Sequence, residues 1–382
     1  MNLESDGPLA ELLSIGSELL AGETIDTNAA FLGAALGRLG IPLRGARMLA
    51  DQRAAIAAAF SEARARVPLV VATGGLGPTH DDLTREGLAD ALGERLTPDR
   101  ALEKTLRVRF AAFGRMPESN LRQAMRVPSA EALPNPIGSA PGWWADRDDV
   151  VTVLMPGVPA EMRRMWEEQV VPRILARFAV RPVRVRAVKT FGIGESALAE
   201  LVGDILERPG EGIEAGIYAH DDGVHLRFWT RGDATPLEGA VQRALDVLGE
   251  HVYGTDDDQL AGTTLAALGR RGVRSLASLE SGTGGTLLAI LAEAAVAEGA
   301  ARFAGGLLLP EPGETATPPT ADATLHLDLH PADDHGRSRV EVRLTGIVAL
   351  GTLHTRVHGS GPQRRHRAAF AALDQVRRAL HG

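Results

Sequence analysis

The residues best suited to chemistry lie between Val70 and Gly87. Gly74, Gly75 and Gly77 fall within four positions, where backbone N–H groups can approach a phosphate with no side chain in the way. Asp81 and Asp82 follow at once, and Thr84 is placed to cap a helix over 85–92. A phosphate cradle and carboxylates able to hold a divalent cation of the Mg, Mn or Co type thus share one strand-to-helix turn. Chemistry at a nucleotide's pyrophosphate needs that combination. A tight turn with a solvated acidic cap is the plainer reading; Asp-Asp and Thr at fixed offsets from the glycines favour the functional one.

The elements that must position this turn read as an α/β alternation. Leu9–Ile15, Ile41–Leu49 and Leu69–Ala72 are apolar enough for strands. A helix capped at Asp26-Thr27-Asn28 carries Ala29, Leu32, Leu36 and Leu39 at helical spacing, and a second spans 52–65. Strands separated by helices imply a parallel sheet, whose ligands gather at the strands' carboxyl ends. Glu18, Asp51 and the 74–82 turn all fall at such ends, so they are expected to converge. Turn-rich 116–120 and 135–142 are expected to wall the strand ends. Val150–Met155 reads as a strand broken by Pro156-Gly157-Val158-Pro159 before a helix over 160–175.

Composition narrows the class. The 382 residues suggest two or three domains, and 44% hydrophobic with 24% charged residues is the balance of a globular protein. There is no cysteine, which excludes disulfides and thiolate sites. No basic and apolar leader is evident at 1–8, and no run reaches the roughly 20 apolar residues of a membrane span. A cytoplasmic location and no membrane partner are expected. A net charge of −8 disfavours nucleic acid as partner.

Six segments occur here in the order found in the CinA (competence/damage-inducible protein A) family, which this chain resembles. They are Ile15 to Leu20, Asp26 to Asn28, Thr73 to Thr84, Asn135 to Gly142, Pro156 to Glu161, and Thr190 to Ser196. The resemblance implies an α/β protein of three parts. Residues 1–178 would be a three-layer, mainly parallel MogA-like, molybdopterin-binding-like domain. Residues 179–256 would be a small α+β, KH-like connector, and 257–382 an α/β domain similar to the family's nicotinamide mononucleotide deamidase.

It also implies metal-dependent hydrolysis of ADP-ribose to AMP and ribose 5-phosphate, with Asp51 and Asp82 as the catalytic pair. Glu18, Asp51, Asp81 and Asp82 would hold the metal. Thr73, Gly74, Gly75, Gly77, Thr84, Asn28, Asn135, Gly138, Pro156 and Gly157 would bind the nucleotide. Many relatives carry Gly-Asp-Glu where this chain has Gly16-Ser17-Glu18, so a hydroxyl replaces one ligand. A homodimer is expected. Molybdopterin-type nucleotidyl transfer and a non-enzymatic adaptor role in competence or DNA damage are the competing readings. The carboxylate and glycine constellation favours catalysis over the adaptor.

The third part departs from its relatives. Ser281, in Glu280-Ser281-Gly282-Thr283-Gly284-Gly285, aligns with the family nucleophile, but Pro310 and Thr315 stand where the activating Tyr and Lys belong. Residues 310–321 read as an exposed loop. His326, His330 and His335 are expected in a loop-rich stretch with no base for the serine, so this part reads as an inactive deamidase. Gly269-Arg270-Arg271-Gly272 has a GxxG pattern, read as a helix stop at Gly269 rather than an RNA clamp.

Overall fold

A computed structural model describes residues 7–111, 114, 116–314 and 316–381, in two compact units, 1–183 and 184–382. In the first unit, strands β1 (Ala10–Ile15), β2 (Leu43–Leu49) and β3 (Leu69–Thr73) alternate with α1 (Ser17–Leu20), α2 (Thr27–Arg38) and α3 (Arg53–Arg64). Then come α4 (Thr84–Ala91), a short ribbon of β4 (Thr97–Pro98) with β5 (Met125–Arg126), and α5 (Arg100–Ala111) between its strands. β6 (Ala130–Leu133), β7 (Gly142–Arg147), β8 (Val150–Met155), α6 (Pro159–Met165) and α7 (Val171–Arg177) complete it.

The sheet order is β2-β1-β3-β8-β7-β6, parallel from β2 to β8 and antiparallel beyond. Because strand side chains alternate faces, Leu13, Val70 and Ala72 pack with Ile56, Phe60 and Leu88, while Leu12, Leu69 and Val71 pack with Leu32, Leu36 and Trp166. Each such burial contributes about 1.5–3 kcal/mol, and the result is three layers with β3 fully covered.

Two helices differ from expectation. The helix predicted over 160–175 is interrupted at Trp166–Val170 by a wide π turn, directly before Pro172, which has no N–H to offer the preceding turn. Thr84 is the first residue of α4 rather than its cap; Leu83 holds the cap position without a side-chain bond.

In the second unit, β9 (Arg184–Thr190), α8 (Glu195–Leu201), α9 (Gly203–Glu207), β10 (Glu214–His220), β11 (Gly223–Thr230), α10 (Thr235–Leu248) and β12 (Val252–Thr255) form an antiparallel sheet ordered β10-β11-β9-β12, with helices on it. The hairpin turn is Asp221-Asp222, one residue earlier than the expected Asp222-Gly223, since His220 pairs with Gly223. Following are α11 (Leu260–Arg270), β13 (Ser275–Ser281), α12 (Thr286–Ala292), β14 (Arg302–Leu309), β15 (Ala323–Ala332), β16 (Arg337–Gly346), β17 (Leu350–His358) and α13 (Gly361–His381). Their sheet runs β14-β13-β15-β16-β17, with β13 parallel to both neighbours. Helix α11 runs through Gly269, and the left-handed stop is Gly272, at φ +85°. His326 and His330 lie on β15, not in a loop, and His335 lies in the turn after it.

Candidate functional site

The sequence of the first unit reverses direction across its sheet between β1 and β3: β2 lies to one side of β1, and β3 to the other. A cavity of about 500 Å³ opens at the carboxyl ends of those strands and of β8, the position where open α/β sheets take ligands. Glu18, Asn28, Asp51, Thr73, Gly74, Gly75, Gly77, Asp81, Asp82, Pro156 and Gly157 all line it, together with Asp26, Thr79, Gln123 and Glu161. Three residues expected at the site lie behind the lining. Thr84 is fully buried, and its hydroxyl donates to the Gly74 carbonyl at 2.8 Å. Asn135 accepts from the Ile137 and Gly138 N–H groups and donates to Glu161. Gly138 lies so close to the Glu161 carboxylate that a Cβ would come within 1.9 Å of it. These three shape the walls.

The glycine turn is built by close approach. Gly74 has φ +95°, and a Cβ there would lie 2.0 Å from the Ile15 carbonyl, so the switch between β1 and β3 demands glycine. Its N–H, however, donates to the Met155 carbonyl at 3.1 Å, and the Gly77 N–H donates to Asp82 Oδ1 at 2.8 Å. Of these three glycines, Gly75 is the one whose N–H makes no hydrogen bond to the described residues. The backbone cradle is therefore narrower than three consecutive amides.

The two aspartates expected to be catalytic are equally tied to the backbone. Asp82 Oδ2 accepts the Thr79 N–H at 2.8 Å and also the Thr79 hydroxyl. Asp51 Oδ2 accepts the Ser17 N–H at 2.8 Å and the Ser17 hydroxyl at 2.9 Å. Ser17 thus clasps Asp51. The carboxylates of Glu18, Asp51, Asp81 and Asp82 share the cavity without three of them closing within 4.8 Å of one another.

One contributor had no signal in the sequence. Arg85 is fully buried, and its guanidinium donates to the Leu76 carbonyl at 2.8 Å and the Gly77 carbonyl at 3.3 Å. Burial pulls it below the usual guanidinium value. It holds the carbonyls of the glycine turn in place. Asn28 donates to the Gly157 carbonyl at 2.8 Å, while its buried Oδ1 has no partner.

In the second unit Ser281 lies at the end of β13, 1% exposed, and its hydroxyl donates to Asp328 Oδ1 at 2.6 Å. A carboxylate from the paired strand β15 therefore sits on the serine that the sequence left without one. β14 stops at Leu309, directly before Pro310; Thr315 lies outside the described residues.

A protein described as CinA-like from Deinococcus radiodurans is 37% identical over 97% of this chain and 98% of its own length. The chain belongs to the CinA family. Another CinA-like protein, from Thermomicrobium roseum, is 48% identical over 74% of this chain and 71% of its own length. Residues 11–176 match a family described as probable molybdopterin binding domain, and 185–254 match the damage-inducible protein CinA KH domain. The crystal structure of the protein CinA from Thermoplasma acidophilum aligns with 44% of this chain and 99% of that one, at 33% identity and a TM-score of 0.42. The two family matches, with the sheets described above, give the fold class expected: a molybdopterin-binding-type mixed sheet, a KH-like domain and a C-terminal α/β sheet. Among the described residues no helix is long and apolar enough to cross a membrane.

Proposed function

We propose that the first unit hydrolyses a nucleotide pyrophosphate, with ADP-ribose as substrate and AMP and ribose 5-phosphate as products, using a divalent cation. One observation carries the reading. Among the described residues six carboxylates line the cavity, those of Glu18, Asp26, Asp51, Asp81, Asp82 and Glu161, and no Lys or Arg side chain does. A pyrophosphate can enter such a cavity only with cations between it and the protein. The donor set fits a hard oxygen-seeking ion: Mg²⁺-type cations take one or two carboxylates, several waters and the substrate's own phosphate oxygens, and need no tight protein cage. Asp51 and Asp82, with Glu18 and Asp81, would hold it. When bound, the cation polarises the phosphoryl group and lowers the pKa of water.

The chain's own residues supply the rest. Gly75 offers its N–H to a phosphate oxygen, which stabilises charge as it develops. The orphan Oδ1 of Asn28 accepts a donor such as a ribose hydroxyl, which relieves a buried unsatisfied oxygen. Water oxygen bonds to phosphorus, the P–O–P bridge breaks, the bridging oxygen leaves with one of the two products, and the protons of the water pass to the product phosphates and to solvent.

The test is AMP release from ADP-ribose by purified protein with Mg²⁺, Mn²⁺ or Co²⁺, against a chelated control. Metal-dependent AMP release lost in Asp51→Asn supports the proposal. Adenylyl transfer to molybdopterin without ADP-ribose turnover would replace it with nucleotidyl transfer, the alternative for a chain whose residues 11–176 match a probable molybdopterin binding domain.

A further inference from the structure

The β10–β11 hairpin assembles donor atoms that the nucleotide cavity does not use. β10 ends on His220, Asp221 and Asp222 make the turn, and His225 follows on β11 opposite Tyr218. In this register His220 and His225 share one face of the ribbon on a diagonal, and their rings stack with centroids 4.2 Å apart. Asp222 Oδ1 lies 3.0 Å from His225 Nε2, and Asp222 Oδ2 accepts the Tyr253 hydroxyl at 2.6 Å. The same hydroxyl lies 3.3 Å from His225 Nε2. His225 and Tyr253 are each 4% exposed, so an imidazole, a phenol and a carboxylate are gathered at a cost in desolvation that their packing alone does not require. One ligand atom from each of His220, Asp222 and His225 falls within 4.8 Å of the other two, and among the described residues this is the His/Cys/Asp/Glu group so gathered.

We propose that His220, Asp222 and His225 form a binding site for a first-row transition-metal dication of the zinc class, distinct from the carboxylate cavity of the first unit. Two imidazoles and one carboxylate prefer such an ion to Mg²⁺ or Ca²⁺, whereas an all-carboxylate cavity has the opposite preference. Three protein ligands leave the fourth tetrahedral position to water. Tyr253 acts from behind: by donating to one carboxylate oxygen it fixes the direction of the other, the role outer groups have in metal sites. His225 and Asp222 are held by strand pairing and by that phenol.

His220 is exposed, and it is the ligand that must move. Its Nε2 now lies 3.5 Å from an Arg227 guanidinium nitrogen, and binding turns that lone pair away from Arg227. Lys189, which pairs with His225 across β9, directs its ammonium to the Asp258 carbonyl at 2.9 Å rather than to the site.

The test titrates metal-stripped full-length protein with Co²⁺, whose visible d–d absorption reports tetrahedral coordination, in excess Mg²⁺ to occupy the carboxylate cavity. One equivalent of Co²⁺ should give the tetrahedral absorption, and one equivalent of Zn²⁺ should remove it. His220→Ala, at an exposed position, should abolish the signal. Tyr253→Phe should weaken binding by about 10- to 100-fold. Asp51→Asn should leave the signal as in the unaltered protein. Absence of the tetrahedral signal, its survival in His220→Ala, or its loss in Asp51→Asn would each overturn the proposal.

Discussion

Replacing Asp82 by Asn tests both the chemistry and the architecture of the glycine turn. In the native protein the two carboxylate oxygens work on opposite sides: Oδ1 holds the Gly77 N–H, and Oδ2 holds the Thr79 N–H and hydroxyl. Asparagine has one acceptor oxygen, so whichever side it serves, its NH2 group faces an N–H on the other. A hydrogen bond to a charged acceptor contributes about 1.5–3 kcal/mol, and with half-exposed groups the loss should be about 1–2 kcal/mol. In a unit spanning residues 1–183, that lowers the midpoint by about 2–8 °C. The turn also loses one negative charge at the cation and shifts its N–H groups. A misplacement of about 1 Å costs on the order of 100-fold in rate, so kcat/KM for ADP-ribose should fall at least that far. AMP release and calorimetry on one preparation read both effects. Near-native rates in Asp82→Asn and Asp51→Asn alike would dismiss the active-site assignment, and an unchanged midpoint would dismiss the clasp.

Acid should weaken the second unit in a defined window. Burial, more than any neighbouring charge, holds the His220 and His326 imidazoles below their ordinary value. The unfolded chain then binds more protons than the folded one, so stability is level above about pH 7 and declines as pH falls below about 6.5 towards the folded-state values. Urea midpoints between about pH 7.5 and 5 should show that slope, and His220→Gln with His326→Gln should flatten it; an unchanged slope in the double variant would assign it elsewhere. For the C-terminal part, no ammonia should leave nicotinamide mononucleotide above a no-enzyme control, because Ser281 is 1% exposed and β14 ends before Pro310. Ammonia release that vanished in Ser281→Ala would refute this and would make Asp328 the base.

Periodicity and punctuation made most of the fold legible. β8 has the bounds its apolar run suggests, and β1, β3 and α3 lie within a residue or so of theirs, because each is a local pattern bounded by turn residues. What escaped depends on partners distant in sequence. Thr84 reads as a cap because its type and place fit one, yet the Gly74 carbonyl, ten residues earlier, claims its hydroxyl. The availability of an N–H in a glycine turn depends on what lies behind it, here Met155 and Asp82. Arg85 looks like a surface residue of an amphipathic helix until the turn folds over it. Asp328 became a partner of Ser281 only through the β13–β15 register.

Among the described residues no Lys or Arg side chain lines the carboxylate cavity, and under the proposed function this has a kinetic consequence. Most phosphate-binding clefts draw their ligands in by long-range attraction, and salt slows that encounter. If the proposed function holds, the six carboxylates lining this cavity would repel a bare polyphosphate, and added salt would speed its approach by screening that repulsion over about 10 Å at 0.1 M. A nucleotide arriving with its charge already neutralised meets no such barrier. On that proposal the cavity would select for the ion-paired form of its ligand at the moment of encounter, before any contact is made, and divalent-ion concentration would set the rate of entry.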